Sequence, residues 1–351
     1  MTHIVILGGG YGGIEVVKQL LKKEGRSPFS ITLIDRHPFH SIKTEFYALA
    51  SGTIADDQTR FPFPEHPLLT KIVDEVQKIK LKEQLIITNK KEIFYDYLVI
   101  ATGSEDRFPR IKGAKDYSRS IQTIEHTRKT YEGIHNTKPY GTIKIIGGGL
   151  TGVELASELR ESRADLNIHL YERGHKVLKP FSDKVQNYVM DWFKVHDVQV
   201  IRQASIDYLG SKNIYNSGRR EEADLIIWAA GVQPTSIVRE LEVEKDFTGR
   251  LRIDRFHRVI GEPNVFAIGD CSSTPYPSSA QIAKQQGRQV ANSLHHLLNK
   301  KELAKAQHLI YKGTLGTLGK KDGFGEVGNR ALTGKLPRLM KKGVGWLHTK
   351  R

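Results

Sequence analysis

Two clusters of glycine at matching spacing carry the chemistry of this chain. The first lies in the run His3-Ile-Val-Ile-Leu-Gly8-Gly-Gly10-Tyr11-Gly12-Gly13. The second, 139 residues later, lies in Ile143-Lys-Ile-Ile-Gly147-Gly-Gly149-Leu-Thr151-Gly152. In each, an apolar strand feeds a tight turn that opens a helix. The first glycine (Gly8, Gly147) permits the bend, and the second (Gly10, Gly149) lets backbone approach a pyrophosphate. The last (Gly13, Gly152) lets the helix pack on the strand. The unpaired N–H groups and positive end of the helix then face the phosphates. Each turn is followed by a strand ending in an acid, Asp35 at 22 residues after Gly13 and Glu172 at 20 after Gly152. Both distances suit a carboxylate that accepts hydrogen bonds from a ribose diol. One such turn is weak evidence, because a structural glycine turn followed by a strand-end acid is common. Two in one chain imply two dinucleotides, and a protein that holds two dinucleotides together passes electrons between them.

Composition narrows that chemistry. The chain has 351 residues, 38% of them hydrophobic, enough for two or three domain cores. No apolar stretch reaches the roughly 18 residues a spanning helix needs. The first strand begins at His3, so no secretory leader is expected. The single cysteine, Cys271, excludes an internal disulfide and any mechanism that needs a redox-active dithiol within the chain. Its apolar strand-end setting reads as a small buried filler. The fourteen histidines show no metal-ligand spacing, and no metal is expected. The net charge of +15 suits nucleic acid, an anionic membrane or simple solubility. Because no nucleic-acid module is visible, no nucleic-acid partner is expected.

The elements that must position these residues repeat. After the first βαβ unit, the run from Phe61 to Pro67 reads as loop. Strand-like runs follow at Leu85–Thr88 and from Glu92 to Ala101, the latter closing in Thr102-Gly103. Similar closing runs appear at Ala223–Gly231 and at Asn264–Asp270, through Gly269. The pattern predicts an α/β fold of two Rossmann-like dinucleotide-binding domains, one inserted in the other. Residues 1–112 and 252–310 form the outer domain, 113–251 the inserted one, and 311–351 a C-terminal segment.

These motifs resemble the two-dinucleotide-binding flavoproteins, and among them the type II NADH dehydrogenase family in its shorter, NADH dehydrogenase-like branch. The resemblance covers nearly the whole chain. It rests on Gly8 to Gly13, Ala101-Thr102-Gly103, Gly147 to Gly152, Trp228 to Val232 with Gly231, Phe266 to Asp270, and Ala280 to Gly287. It implies non-covalent FAD at the first turn, with Tyr11, Gly12, Thr102, Gly103 and Gly269 among its contacts, and NADH at the second. The turns alone leave open which copy takes which nucleotide. The resemblance implies that Asp270 hydrogen-bonds the ribityl chain, a position that also reads as a helix N-cap. The segment from Lys43 to Gly52 is implied to run beside the isoalloxazine ring.

Ser278 or Ser279 caps a helix that begins at Ala280, whose positive end would stabilise reduced flavin. Gln281 and Gln285, spaced i, i+4, share a face of it; the resemblance makes this face part of the quinone site, while the pattern alone allows a solvated polar face. Glu154 reads as a first-turn acid on the second helix, where the dipole favours a carboxylate. By resemblance it supports proton delivery to the acceptor, with Lys312 approaching the same place. Glu172 favours NADH over NADPH, although the neighbouring Arg173 could accept a 2′-phosphate.

The tail departs from the longer family members, which end in amphipathic membrane helices. Leu336, Leu339, Met340, Val344 and Leu347 follow helical spacing amid Lys335, Arg338, Lys341, Lys342, Lys350 and Arg351, with Trp346 suited to an interface. Pro337 fits only in a first turn, and Gly343 and Gly345 weaken the helix. The pattern fits attachment to an anionic leaflet, and fits equally a basic helix packed on its own domain or on a second subunit. The expected activity is electron transfer from NADH through FAD to a quinone or other acceptor. The expected location is cytoplasmic, peripheral on the inner face of the cell membrane, with a homodimer as a further partner. A soluble NAD(P)H-dependent flavoprotein reductase and a low-turnover flavin-binding redox sensor or scaffold stay open as alternatives.

Overall fold

The computed structural model describes residues 1–22, 28–108, 111–303, 308–328 and 330–349, with side chains up to residue 343 in the last helix. The chain divides into two units. The first comprises Met1–Ser41, Arg60–Glu105 and Val232–Tyr311, and the second Ile42–Thr59, Asp106–Gly231 and Lys312–Arg351. Cuts therefore fall at 105/106 and 231/232, where sequence reasoning had 112/113 and 251/252, and the stretch 42–59 joins the second unit.

Each unit is built on a five-stranded parallel sheet, giving the doubled α/β plan expected. In the first, the strand order is Val265–Ala267, Tyr97–Ile100, Thr2–Leu7, Phe29–Asp35 and Leu69–Val73. In the second it is Arg119–Ser120, Leu225–Trp228, Thr142–Ile146, Asn167–Tyr171 and Val198–Ile201. The strand that feeds a glycine turn is central in both, and the strand that ends in the acid is its neighbour. Ile4 pairs with Ile31 and Ile143 with Ile168, all buried. Aliphatic runs of this kind form parallel strands because both faces of the sheet are covered.

In the first unit, helix Tyr11–Lys22 packs along helix Ala280–Leu298. Close approach is possible because Gly287 faces Gly12: a β-carbon at Gly287 would lie 2.7 Å from the Gly12 carbonyl oxygen. The run after Arg60 is not all loop. Arg60–Pro62 pairs antiparallel with Phe39–Ser41. Pro62 is tolerated because it ends an edge strand, where no ladder N–H is needed.

In the second unit the short helix Phe46–Ala50, every residue of it buried, packs against helices Ile124–His135 and Leu150–Ser162. The C-terminal segment holds a sheet that sequence reasoning missed: Gly313–Leu318, Asp322–Val327 and Arg330–Gly334, all antiparallel. Helix Lys335–Thr349 lies on it and continues through Gly343 and Gly345, with Pro337 in its first turn. Packing on the sheet outweighs the propensity cost of two glycines, about 1 kcal/mol each.

Candidate functional site

In the first unit, Gly8 has φ +99°, and a β-carbon there would lie 2.4 Å from the Ala101 carbonyl oxygen. A β-carbon on Gly13 would lie 1.9 Å from the Gly8 carbonyl oxygen. Both positions therefore demand glycine, one for its conformation and one for helix–strand approach. Gly10 differs: nothing lies within 4 Å of where its β-carbon would be. That open space beside the start of a helix is the cradle a pyrophosphate requires.

Asp35 closes this turn. One carboxylate oxygen accepts from Gly9 N at 2.7 Å and the other from His37 N at 2.8 Å. Tyr11 opens the helix, edge-on to His40, and the Lys284 ammonium sits 5.6 Å from its ring centre. Burial brings that ammonium down to about 8. Thr102 hydrogen-bonds Thr235 at 2.9 Å, and Gly103 (φ +70°) turns the chain after strand Tyr97–Ile100.

Gly269, Asp270 and Cys271 form one short 3-10 turn, in which Ser104 Oγ donates to Asp270 Oδ2 at 2.7 Å. Ala280 begins its helix under a Ser279 cap, whose side chain accepts from Ile282 N. Gln285 uses both ends of its amide on one residue: Nε2 donates to Ile310 O and Oε1 accepts from Ile310 N, each at 2.8 Å. Gln281 lies one turn earlier, its carbonyl accepting from Gln285 Nε2 at 3.3 Å. The thiol of Cys271 is buried against the carbonyls of Ile100 and Ile268, and burial pushes it up to about 11. It is an inert filler.

The second unit repeats the turn. Gly147 has φ +118° with the Ala229 carbonyl oxygen 2.4 Å from its would-be β-carbon, and Gly152 faces the Gly147 carbonyl oxygen at 1.9 Å. Gly149 is open, as Gly10 is. Glu172 accepts from Gly148 N at 3.0 Å and from Gly174 N at 2.7 Å, the same pair of bonds that Asp35 makes. Thr151 is exposed on the first helical turn, and Gly231 (φ +107°) follows strand Leu225–Trp228 with open space around it. The match between the two cradles fits two dinucleotides, one in each unit.

Glu154 is not in the first helical turn; it is the fifth residue of helix Leu150–Ser162 and is buried. Its partners come from the C-terminal segment. Oε1 accepts from Thr317 N at 2.9 Å and Thr317 Oγ1 at 3.2 Å, and forms an ion pair with Lys341. Sequence reasoning named Lys312 for this neighbourhood. Lys312 lies just before strand Gly313–Leu318, its carbonyl accepting from Gly328 N. Lys341 was read as tail charge; only its place on the inward face of its helix marks it out.

Around this pair lie Tyr47 and Glu45. The Lys341 ammonium sits 4.7 Å from the Tyr47 ring centre. Burial of Lys341 works against its charge, yet Glu154, Tyr47 and Glu45 hold its affinity for the proton above the usual lysine value. Burial pushes Tyr47 up to about 12 and raises Glu45. Lys43 begins the short turn that ends in Glu45, so it belongs to this second unit.

Residues 2–287 match the family described as Pyridine nucleotide-disulphide oxidoreductase. The chain belongs to that family. Within it, the chain is 42% identical over 350 residues to the NADH dehydrogenase-like protein YutJ of Bacillus subtilis, covering 99% of both chains. It is 30% identical to the type II NADH:quinone oxidoreductase of Staphylococcus haemolyticus, over 97% of this chain and 93% of that one. This places it among the NADH dehydrogenase-like and type II NADH:quinone oxidoreductase proteins. The fold is that of NDH2 from Plasmodium falciparum, solved in complex with NADH (TM-score 0.84, 19% identity, 98% and 94% covered). It is likewise that of a sulfide:quinone oxidoreductase from Aquifex aeolicus (TM-score 0.82, 21% identity, 99% and 90% covered). With one cysteine, this member has no dithiol for the disulphide chemistry after which the family is named.

Proposed function

We propose that the protein is an FAD-dependent NADH dehydrogenase of the type II kind, which carries electrons from NADH to a quinone. The observation that carries this reading is the pair of matching cradles, each with an open second glycine and a strand-end acid tied to the turn. FAD held in the first cradle would supply the two-electron redox chemistry that links NADH to the acceptor.

The chain's own residues hold, orient and protonate. Gly8 to Gly13 and Asp35 hold FAD, with Thr102, Gly103, Gly269 and Asp270 along it, in the domain expected at 1–112 and 252–310. Gly147 to Gly152, Thr151, Glu172 and Gly231 hold NADH. Lys43 belongs with the flavin contacts by its family position. The capped helix at Ala280 supplies a positive end that favours reduced flavin, and Gln281 and Gln285 lie on the face proposed for the quinone, where Ile310 engages the Gln285 amide. By its family position Glu154 supports proton delivery to the acceptor, and the bonds from Thr317 and the ion pair with Lys341 fix its carboxylate in place.

Among the described residues, no helix is long and apolar enough to cross a membrane. Attachment instead uses the outer face of helix Lys335–Thr349. There Leu336 is 57% and Leu339 66% exposed, beside exposed Lys335, Met340 and Lys342. Apolar side chains ringed by lysine suit an anionic leaflet, here the cytoplasmic face of the cell membrane. Trp346, Val344 and Leu347, with Lys350 and Arg351, lie outside the described side chains.

The test is an anaerobic titration of purified protein with NADH, then with a quinone analogue, followed by flavin absorbance. Bleaching by NADH and recovery with quinone are expected. A flavin that NADH bleaches but no quinone restores would overturn the acceptor.

A further inference from the structure

Asp270 sits in a turn that the chain grips from several sides. Gln286 is fully buried on helix Ala280–Leu298. Its Oε1 accepts from Gly269 N at 2.8 Å, and its Nε2 donates to Ser272 Oγ at 3.0 Å. Ser272 Oγ in turn donates to Gly269 O at 2.9 Å. A buried amide with both ends satisfied fixes the backbone on either side of Asp270. It leaves the carboxylate itself free to rotate about its own bonds. That freedom is removed by Ser104, whose hydroxyl donates to Oδ2 at 2.7 Å from the start of the short strand Ser104–Asp106. A hydroxyl-to-carboxylate bond is charge-assisted, among the stronger and more directional bonds available to a side chain.

We propose that Ser104 is a positioning residue for the flavin: by holding Oδ2 of Asp270, it presents Oδ1 to a hydroxyl of the flavin's sugar-alcohol chain. This inference rests on the reading of Asp270 as a partner of FAD. Gln286 supplies the rigid backbone and Ser104 sets the direction of the carboxylate. An acceptor fixed before binding loses less freedom when the ligand arrives, so the gain is in flavin affinity. No electron or proton moves in this step.

The experiment is a double-mutant cycle on flavin binding. FAD is removed from the full-length protein, and the apoproteins of wild type, S104A, D270A and S104A/D270A are titrated with FAD, following quenching of flavin fluorescence. Circular dichroism melting of each apoprotein confirms that it is folded. S104A is expected to weaken binding by about tenfold and D270A by more, while S104A adds nothing in the D270A background. S104T, which keeps the hydroxyl, should restore affinity. Equal weakening by S104A with and without Asp270 would overturn the proposal, because Ser104 would then act on its own. So would an S104A protein with wild-type affinity beside a weakened D270A. Wild-type affinity in D270A would instead remove the reading of Asp270 on which this rests, and the proposal with it.

Discussion

The carboxylate of Glu154 and the ammonium of Lys341 form an ion pair between residues 187 apart in the chain, with side chains only 7% and 15% exposed. Both charges have left bulk water, so each depends on the other. Removing one partner strands a buried charge, which costs about 3–5 kcal/mol, whereas removing both costs much less. Lys341→Met and Glu154→Gln are each expected to lower unfolding free energy by about 3 kcal/mol in denaturant titrations, and the double variant by less than their sum. The same variants separate the half-reactions. Bleaching of the flavin by NADH should survive, while quinone-dependent turnover falls by about 100-fold.

Glu45 gives a prediction with a definite sign in pH. Burial raises its carboxyl above the ordinary 4.5; Lys341 and Arg338 pull it down, and Glu154 and Glu158 push it up. A carboxyl raised by folding adds stability below its unfolded value and loses that contribution as pH rises through its folded value. Ionised Glu45 is therefore a cost at neutral pH. Glu45→Gln should raise the melting temperature at about pH 8, with the advantage shrinking to nothing near about pH 4. A melting difference constant across that range would show that Glu45 is not the titrating group.

The two glycine turns can be disabled one at a time. An added β-carbon at Gly13 or Gly152 would lie 1.9 Å from a carbonyl oxygen of its own turn, so each turn must open. Gly13→Ala is expected to purify with less than about a tenth of the wild-type flavin. Gly152→Ala should keep its flavin yet need about ten times more NADH for half-maximal bleaching. The reverse pattern would exchange the nucleotides between the turns.

The turns were legible in the sequence because their chemistry is local: glycine spacing, a preceding aliphatic strand and an acid about twenty residues on are all read along the chain. The two parallel sheets followed from the same runs. What was not legible depends on distant partners. Lys341 looked like one more charge in a basic tail, and only its packing on the sheet of Gly313–Gly334 turns it towards Glu154. That sheet was itself hidden, because its glycines resemble loop. Gly316 is there for space: a β-carbon would lie 2.3 Å from the Phe324 ring. Gln286 was passed over beside Gln285, since spacing does not reveal which of two adjacent amides faces inward.

The proposed function gives coenzyme choice to Glu172, whose two oxygens are tied to Gly148 N and Gly174 N. Held in place, the carboxylate favours a ribose diol and repels a 2′-phosphate. Glu172→Gln keeps acceptor capacity at one oxygen but removes the charge. The preference for NADH over NADPH should fall by about tenfold, read as the ratio of kcat/KM for the two coenzymes. An unchanged ratio would move the discrimination to Arg173 or elsewhere in the loop.

The outer face of helix Lys335–Thr349 carries the last prediction. The inward face is committed: Pro337 is buried and Lys341 pairs with Glu154. Leu336, Leu339 and Met340 are thus left outward, although leucines on a helix packed only on its own sheet would turn inward. Two leucines and a methionine bury too little area for tight binding alone, so neighbouring lysines must add attraction to anionic lipid, about 1 kcal/mol each near the surface. Leu336→Glu with Leu339→Glu is expected to abolish sedimentation with phosphatidylglycerol vesicles, leaving reduction of a water-soluble quinone unchanged. Wild-type binding should weaken as salt rises and disappear on vesicles without anionic lipid. If the double variant instead splits a dimer in solution and wild type ignores the vesicles, the face belongs to a second copy of the chain.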